Sequence, residues 1–264
     1  MQNSTAFLEA YRKVWVEGEL VVTRGSSCIE VRNMSIDIDP VYPITSFAAR
    51  KLNLSYAKKE VLWYLRGNRF DKSICEVAGA WNTLVQPDGG INSNYGQDIF
   101  EGPRLFDWVI EELSRDIHSR RAVMPIGRAD MLSKDNSDHR CTMYIAYAIR
   151  KNTLHQTVHM RSNDIIYGLT NDVFFFGLLH QMVWVKLKAI YPSLGIGVYT
   201  HCADSMHVYE KHHDMIDKIV TEGMDGWYDV DPPVFLTGDE VDRLRFNQSN
   251  NDNLYGMPAW LLEN

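Results

Sequence analysis

The 264-residue chain is predicted to fold as an α+β protein, and three observations carry that prediction. Residues 142–149 and 153–160 alternate apolar and polar side chains on either side of Arg150-Lys151-Asn152, the pattern of two half-buried strands joined by a turn. Residues 170–190 are apolar over a length that exceeds an ordinary strand, so they read as a buried helix. Strands and helices do not follow one another in regular βαβ order, which separates α+β from α/β.

The remaining elements follow in chain order. Residues 5–16 put Phe7, Leu8, Tyr11 and Val14-Trp15 on one helical side. Residues 21–38 alternate like strands and break near Gly25-Ser26-Ser27. A helix over 47–65 is stopped by Arg66-Gly67-Asn68, and another over 103–117 has Pro103 near its first turn. Residues 128–140 are polar and turn-rich, a loop that ends at Cys141. A short strand over 198–202 and a helix over 208–219 complete the pattern. No linker, repeat or low-complexity tract interrupts residues 1–264, which predicts a single domain.

Composition narrows the function classes. A hydrophobic content of 45% and a charged content of 23% are ordinary for a soluble protein with a sizeable core. The net charge of -7 opposes non-specific nucleic-acid binding, which needs a basic surface. It leaves room for a nucleotide, because a few local arginines suffice for one phosphate. Cys28, Cys75, Cys141 and Cys202 show no paired spacing, so reduced thiols and an intracellular, cytoplasmic setting are expected. The start lacks a signal-peptide pattern, and no apolar stretch reaches membrane-spanning length.

One constellation carries chemistry. Cys141 is followed by Arg161-Ser162-Asn163-Asp164, then by Gly168 and Asp172. A nucleophilic thiolate needs a nearby cation, an Arg-Ser pair can clamp a phosphate, and a carboxylate can read a base edge. Together they describe a covalent enzyme working on a nucleoside monophosphate. Each part has a plainer alternative: a buried Cys141, a surface Arg161, an Asp172 that caps the helix it opens. Glu60, beside Val61-Leu62-Trp63-Tyr64-Leu65, faces either solvent or a site that raises its pKa for proton transfer. His155 and His159 fall in a strand, His212-His213 reads as solvent-exposed, and the His-x-Glu and Cys-x-x-Cys of a zinc deaminase are missing. No metal site is expected.

The wording from about Arg24 to about Tyr209 resembles the thymidylate synthase superfamily. Glu60-Val61-Leu62-Trp63-Tyr64-Leu65-Arg66-Gly67 is similar to its Glu-Leu-Leu-Trp-Phe-Leu helix segment. Trp81, Gly89, Tyr95-Gly96, Ser119-Arg120-Arg121 and Asp204-Ser205-Met206-His207-Val208-Tyr209 follow in the family's order. The resemblance implies a large mixed sheet flanked by helices and packed back to back with that of a second subunit. It implies 5,10-methylenetetrahydrofolate as co-substrate and Cys141 as the nucleophile that adds to pyrimidine C6. Arg161, Ser162 and Arg24 are then expected on the phosphate, with Arg161 also stabilising the thiolate. Arg120 and Arg121 are expected to reach across a homodimer interface. Glu60 and Asp164 are expected to move protons through ordered water and to order the folate, beside Trp81. Tyr95 joins the catalytic set, and His207 and Tyr209 fall where the family binds the sugar hydroxyl.

Departures from the synthase pattern point to a branch. The family's prolines before the cysteine are missing, Thr142 replaces its His, Leu84 its second Trp and Met160 its Gln. Asp172 stands where synthases carry Asn, and a carboxyl group suits the amino edge of cytosine as an amide suits uracil. Asp172, Gly90-Ile91-Asn92-Ser93-Asn94-Tyr95-Gly96 and Arg161-Ser162-Asn163-Asp164 resemble the phage deoxycytidylate hydroxymethylase branch. The expected reaction is transfer of the one-carbon unit to C5 of dCMP with addition of water, which Asn92-Ser93-Asn94 would hold. The rivals are a dCMP methyltransferase, a CMP or dUMP hydroxymethylase, and a non-catalytic paralogue that binds nucleotide or RNA. Trp260-Leu261-Leu262 is a candidate cover for the folate.

Overall fold

The computed structural model describes residues 3–23, 25–132, 136–228, 230–246 and 255–263. Its centre is a mixed, mostly antiparallel sheet of seven strands: β1 (Glu19–Thr23), β2 (Ser26–Ile38), β3 (Val123–Pro125), β4 (Thr142–Arg150), β5 (Thr153–Met160), β6 (Asn163–Asp164) and β7 (Gly195–Tyr209). They lie in the order β1-β2-β7-β5-β4-β3, and β6 pairs with β7 off that path. Among the described residues the parallel pairs are β5 with β7 and β6 with β7. Among the described residues the α-helices are α1 (Ser4–Glu17), α2 (Leu54–Leu65), α3 (Ser73–Val77), α4 (Leu105–Arg115), α5 (Gly168–Lys188), α6 (His213–Glu222), α7 (Gly238–Phe246) and α8 (Gly256–Leu262). The α+β expectation holds.

The strand alternation decides which side of the sheet is covered. Along β5, Leu154, Gln156, Val158 and Met160 are buried while Thr153, His155, Thr157 and His159 are partly open. The buried side packs on α5, whose Phe174, Phe175, Phe176, Leu178, Leu179, Met182 and Val183 are all buried. Apolar residues all round that helix fit an element enclosed by sheet and helices. Losing a ring such as Phe176, with no exposed surface, is expected to cost about 3–5 kcal/mol.

Two of the element bounds move for identifiable reasons. The expected helix over 208–219 begins instead at His213, because β7 continues to Tyr209. Its Ser205 to Tyr209 segment pairs with Cys28 to Arg32 of β2, and strand pairing overrides local helical pattern. The helix expected over 47–65 starts at Leu54, where the Asn53 side chain accepts from Tyr56 N at 3.0 Å and so supplies the N-cap. Phe47, upstream, instead bridges to Arg50 and Trp227.

One glycine sets the depth of the site. A Cβ at Gly96 would stand 1.7 Å from Tyr64 O, so only glycine lets this segment close on the end of α2. That approach stacks Tyr95 on Tyr64, with ring centroids 5.5 Å apart and planes 4° from parallel. A register irregularity between Thr142 and Tyr144 follows Cys141 directly, a bulge at the mouth of the β4–β5 pair.

Candidate active site

A cavity of about 330 Å³ gathers side chains from distant parts of the chain. Cys141, Arg161, Ser162, Asp164, Asp172, Glu60, Tyr95, Trp81, His207 and Tyr209 all line it. The topology explains the meeting. β4 and β5 are antiparallel neighbours, so the start of β4 and the exit of β5 stand side by side, and Arg161 N donates to Cys141 O at 2.8 Å. β6 then pairs Asp164 with His207 on β7. A larger cavity of about 560 Å³ adjoins it at Tyr209, which lines both, and is otherwise lined by Thr23, Gly25, Ser26, Ser27, Glu210 and Lys211. The ionisable and nucleophilic groups concentrate in the smaller one.

The half-buried Cys141 faces a cation. Arg161 Nη2 lies 3.7 Å from Cys141 Sγ. The guanidinium is aimed by Nε donating to Arg140 O at 2.9 Å and by Nη2 donating to His139 O at 2.8 Å. A fixed positive charge at that distance favours the thiolate.

Two carboxyl groups in the cavity are pushed the other way. Burial raises Glu60 to about 8, against the bond it accepts from the Tyr56 hydroxyl at 2.7 Å and with help from nearby Asp172. Trp81 Nε1 donates in turn to Tyr56 Oη at 2.9 Å, so Trp81, Tyr56 and Glu60 form one hydrogen-bonded line. Burial likewise raises Asp172 to about 7, opposed by the Asn163 amide, which donates to Oδ2 at 2.6 Å, and reinforced by Asp164. Asp172 lies inside α5, which begins at Gly168, so it does not cap the helix. A Cβ on Gly168 would stand 3.0 Å from the Asn163 amide nitrogen, crowding the point where Asn163 meets Asp172.

His207 Nδ1 stands 3.5 Å from Ser205 Oγ, and its ring meets Tyr209 edge-on at 4.9 Å. Burial pushes the Tyr95 hydroxyl well above its ordinary range, so it stays a protonated phenol near Cys141.

Several expected residues lie elsewhere. Arg120 and Arg121 are exposed between α4 and β3 and do not line this cavity; Arg121 Nε instead pairs with the buried Glu112 at 3.1 Å. Arg24 lies outside the described residues. Of the segment expected to hold water, only Ser93 lines the cavity, and its hydroxyl is bound to the buried Asp138. Asn92 is tied to Arg69, Asn136 and Asp138, and Asn94 donates to Asn68 O at 3.1 Å. Those amides serve the loops behind the site. Trp260 lines neither this cavity nor its neighbour: it lies over Lys58, 4.1 Å from the ammonium, and edge-on to Phe174.

Other residues came to light only in three dimensions. Tyr56 stands one helical turn before Glu60, a spacing that could have announced it. Asn163 stood inside the motif without a role of its own. A second cavity of about 420 Å³ shares Tyr56, Trp81, Tyr167 and Asn171 with the first and extends along Ala49, Arg50, Lys51, Val77 and Met215. Arg50 lies over the Tyr167 ring at 4.5 Å. Arg50 is buried, donating to Ile166 O at 3.0 Å and to Thr170 Oγ1 at 3.2 Å.

A sequence profile described as thymidylate synthase matches residues 5–228. The deoxycytidylate 5-hydroxymethyltransferase of Enterobacteria phage T6 is 31% identical over 211 residues, covering 76% of this chain and 84% of that protein. A putative thymidylate synthase of Methanocaldococcus jannaschii is 28% identical over 231 residues, 83% of this chain and 93% of its own. The deoxyuridylate hydroxymethyltransferase of Bacillus phage SP01 is 24% identical over 219 residues, 77% of this chain and 56% of that one.

Proposed function

This chain belongs to the thymidylate synthase family of folate-dependent pyrimidine nucleotide one-carbon transferases, and we propose that it acts as a deoxycytidylate 5-hydroxymethyltransferase. The observation that carries the base choice is Asp172, a cavity carboxyl raised to about 7 and steadied by Asn163. In its acid form it accepts from the cytosine amino group and donates to N3, the reverse of what uracil offers. The phage T6 relative's name agrees with that reading; the SP01 relative's name keeps dUMP as the rival.

Arg161 and Ser162 bind the phosphate, and His207 and Tyr209 hold the sugar. Cys141 Sγ adds to C6 of the base, and the electron pair displaced from the ring double bond makes C5 nucleophilic. The family's co-substrate, 5,10-methylenetetrahydrofolate, supplies the one-carbon unit, and the neighbouring cavity, lined in part by Trp81 and Tyr167, is the place proposed for its ring. Glu60, neutral near pH 7, passes protons at the polar edge of the base, relayed by Tyr56. C5 then loses its proton as the folate nitrogen departs from the one-carbon unit, water adds to the exocyclic methylene so formed, and the electron pair returned to the ring expels Sγ from C6. The balance is dCMP, methylenetetrahydrofolate and water giving 5-hydroxymethyl-dCMP and tetrahydrofolate. With Asn92 and Asn94 turned away, the polar groups left beside this step are Ser93, Tyr56 and Glu60, and Leu84 leaves the wall less bulky than a second Trp would.

Arg120 and Arg121, exposed and remote from their own cavity, complete the phosphate site of a second copy. That makes a homodimer the active unit. Mass spectrometry of the nucleotide product tests the reaction. A gain of one CH₂O unit with tetrahydrofolate is expected, whereas a gain of one CH₂ unit in step with dihydrofolate would replace it with methylation.

A further inference from the structure

The chain just before Cys141 is anchored by a buried ion pair. Arg140 is 5% exposed and Asp98 1%, and they meet through Nη1 and Oδ2. Arg140 also donates from Nε to Asn92 O at 2.6 Å and from Nη1 to Ile126 O at 2.8 Å. Asp98 sits in the single π-helical turn Gln97–Glu101, directly after Gly96, and accepts from Arg128 at 3.0 Å as well. One side chain thus joins the segment around Tyr95, the end of β3 and the nucleophile loop.

The main chain of the same residue turns toward the cavity. Arg140 O accepts from Arg161 Nε at 2.9 Å, and the neighbouring His139 O accepts from Nη2 at 2.8 Å. Those bonds fix the guanidinium that lies 3.7 Å from Cys141 Sγ. A buried pair gives little net stability over well-packed apolar residues, so stability alone does not account for it.

We propose that the Asp98–Arg140 pair is a positioning device that holds the nucleophile loop and, through the Arg140 carbonyl, sets the Arg161 guanidinium against the Cys141 thiol. This rests on the reading of Cys141 as the nucleophile. The other titratable groups of the cavity are Tyr56, Glu60 and Tyr64 of α2, Tyr95, Asp164 of β6, Tyr167, Asp172 of α5, and His207 and Tyr209 of β7. Changing the pair substitutes none of them, so a change in thiol reactivity reports the segments the pair joins, with Arg161 and Tyr95 beside the thiol.

The test compares wild type with Asp98→Asn, Arg140→Lys and the double variant Asp98→Ala/Arg140→Met. The pH dependence of Cys141 alkylation by iodoacetamide is measured, with Cys141→Ser protein subtracting Cys28, Cys75 and Cys202, and kcat is measured with dCMP. The double variant should move the alkylation midpoint up by about one pH unit and lower kcat about tenfold. Arg140→Lys, which keeps the charge without the fork, should recover part of both. Asp98→Asn keeps the shape of the pair and gives the same readout if the double variant does not fold. An unchanged midpoint and kcat in whichever of the two folds would overturn the proposal. Full turnover in Cys141→Ser would remove the underlying reading itself, an outcome told apart because the alkylation midpoint is read without turnover.

Discussion

The two walls of the cavity treat charge in opposite ways. The strand wall, from β4, the β5–β6 turn and β7, sets the Arg161 guanidinium 3.7 Å from Cys141. It favours an anion at sulfur. The helix wall, from α2 and α5, carries Glu60 and Asp172, which burial raises to about 8 and about 7. It favours neutral acids. Two ionised carboxylates in the cavity would oppose ionisation of the thiol, so under the proposed mechanism their raised pKa values let a thiolate and proton carriers share one cavity. The cation comes from the strands, and the carboxyls raised by burial come from the helices.

Removing the strand wall's chemistry should have the largest effect. Cys141→Ser is expected to lower turnover on the order of 10⁴-fold or more, with nucleotide affinity changed only a few-fold because Arg161 and Ser162 remain. Single-turnover kinetics and calorimetric titration with dCMP check the two halves. Next, Arg121→Ala should be inactive alone yet regain part of its activity when mixed with inactive Cys141→Ser, since a mixed dimer holds one intact site. Complete failure after verified subunit exchange would count against arginines acting in trans.

Changes on the helix wall should redirect rather than abolish. Asp172→Asn should lower kcat/KM for dCMP and raise it for dUMP, a change of preference of about tenfold or more, since one mismatched buried hydrogen bond costs about 1–3 kcal/mol. The last effect concerns stability rather than turnover. Glu60 titrates near 8 in the fold against 4.5 in a free side chain, so between those values the folded state binds the extra proton. Stability from this residue therefore falls as pH rises from about 4.5 to 8. Glu60→Gln should flatten that decline, measured as the difference in unfolding free energy between pH 5 and pH 8.

What the sequence made legible follows from how local each signal was. Cys141 and the Arg161–Asp164 motif were readable because a hairpin joins them and the alternation on either side fixes their register. For Asp172 the sequence offered a base reader or a helix cap, and the cap fell because α5 starts at Gly168; the base-reading role stays a proposal. The far end of β7 was hidden because Ser205 to Tyr209 alternates too briefly to outweigh the helix after it; pairing with β2 settles it. The Arg140–Asp98 pair spans 42 positions, and nothing local in either residue announces the other. Asn92 and Asn94 misled for the opposite reason: their polarity was visible, but their direction depends on Arg69, Asp138 and Asn68.

The central claim is that Cys141 adds to a cytosine base held by Asp172, and exchange of the C5 hydrogen tests it most directly. With 5-tritiated dCMP and 5-tritiated dUMP under matched conditions near pH 7, the protein should release tritium from dCMP about tenfold faster or more. Faster release from dUMP would contradict the assignment.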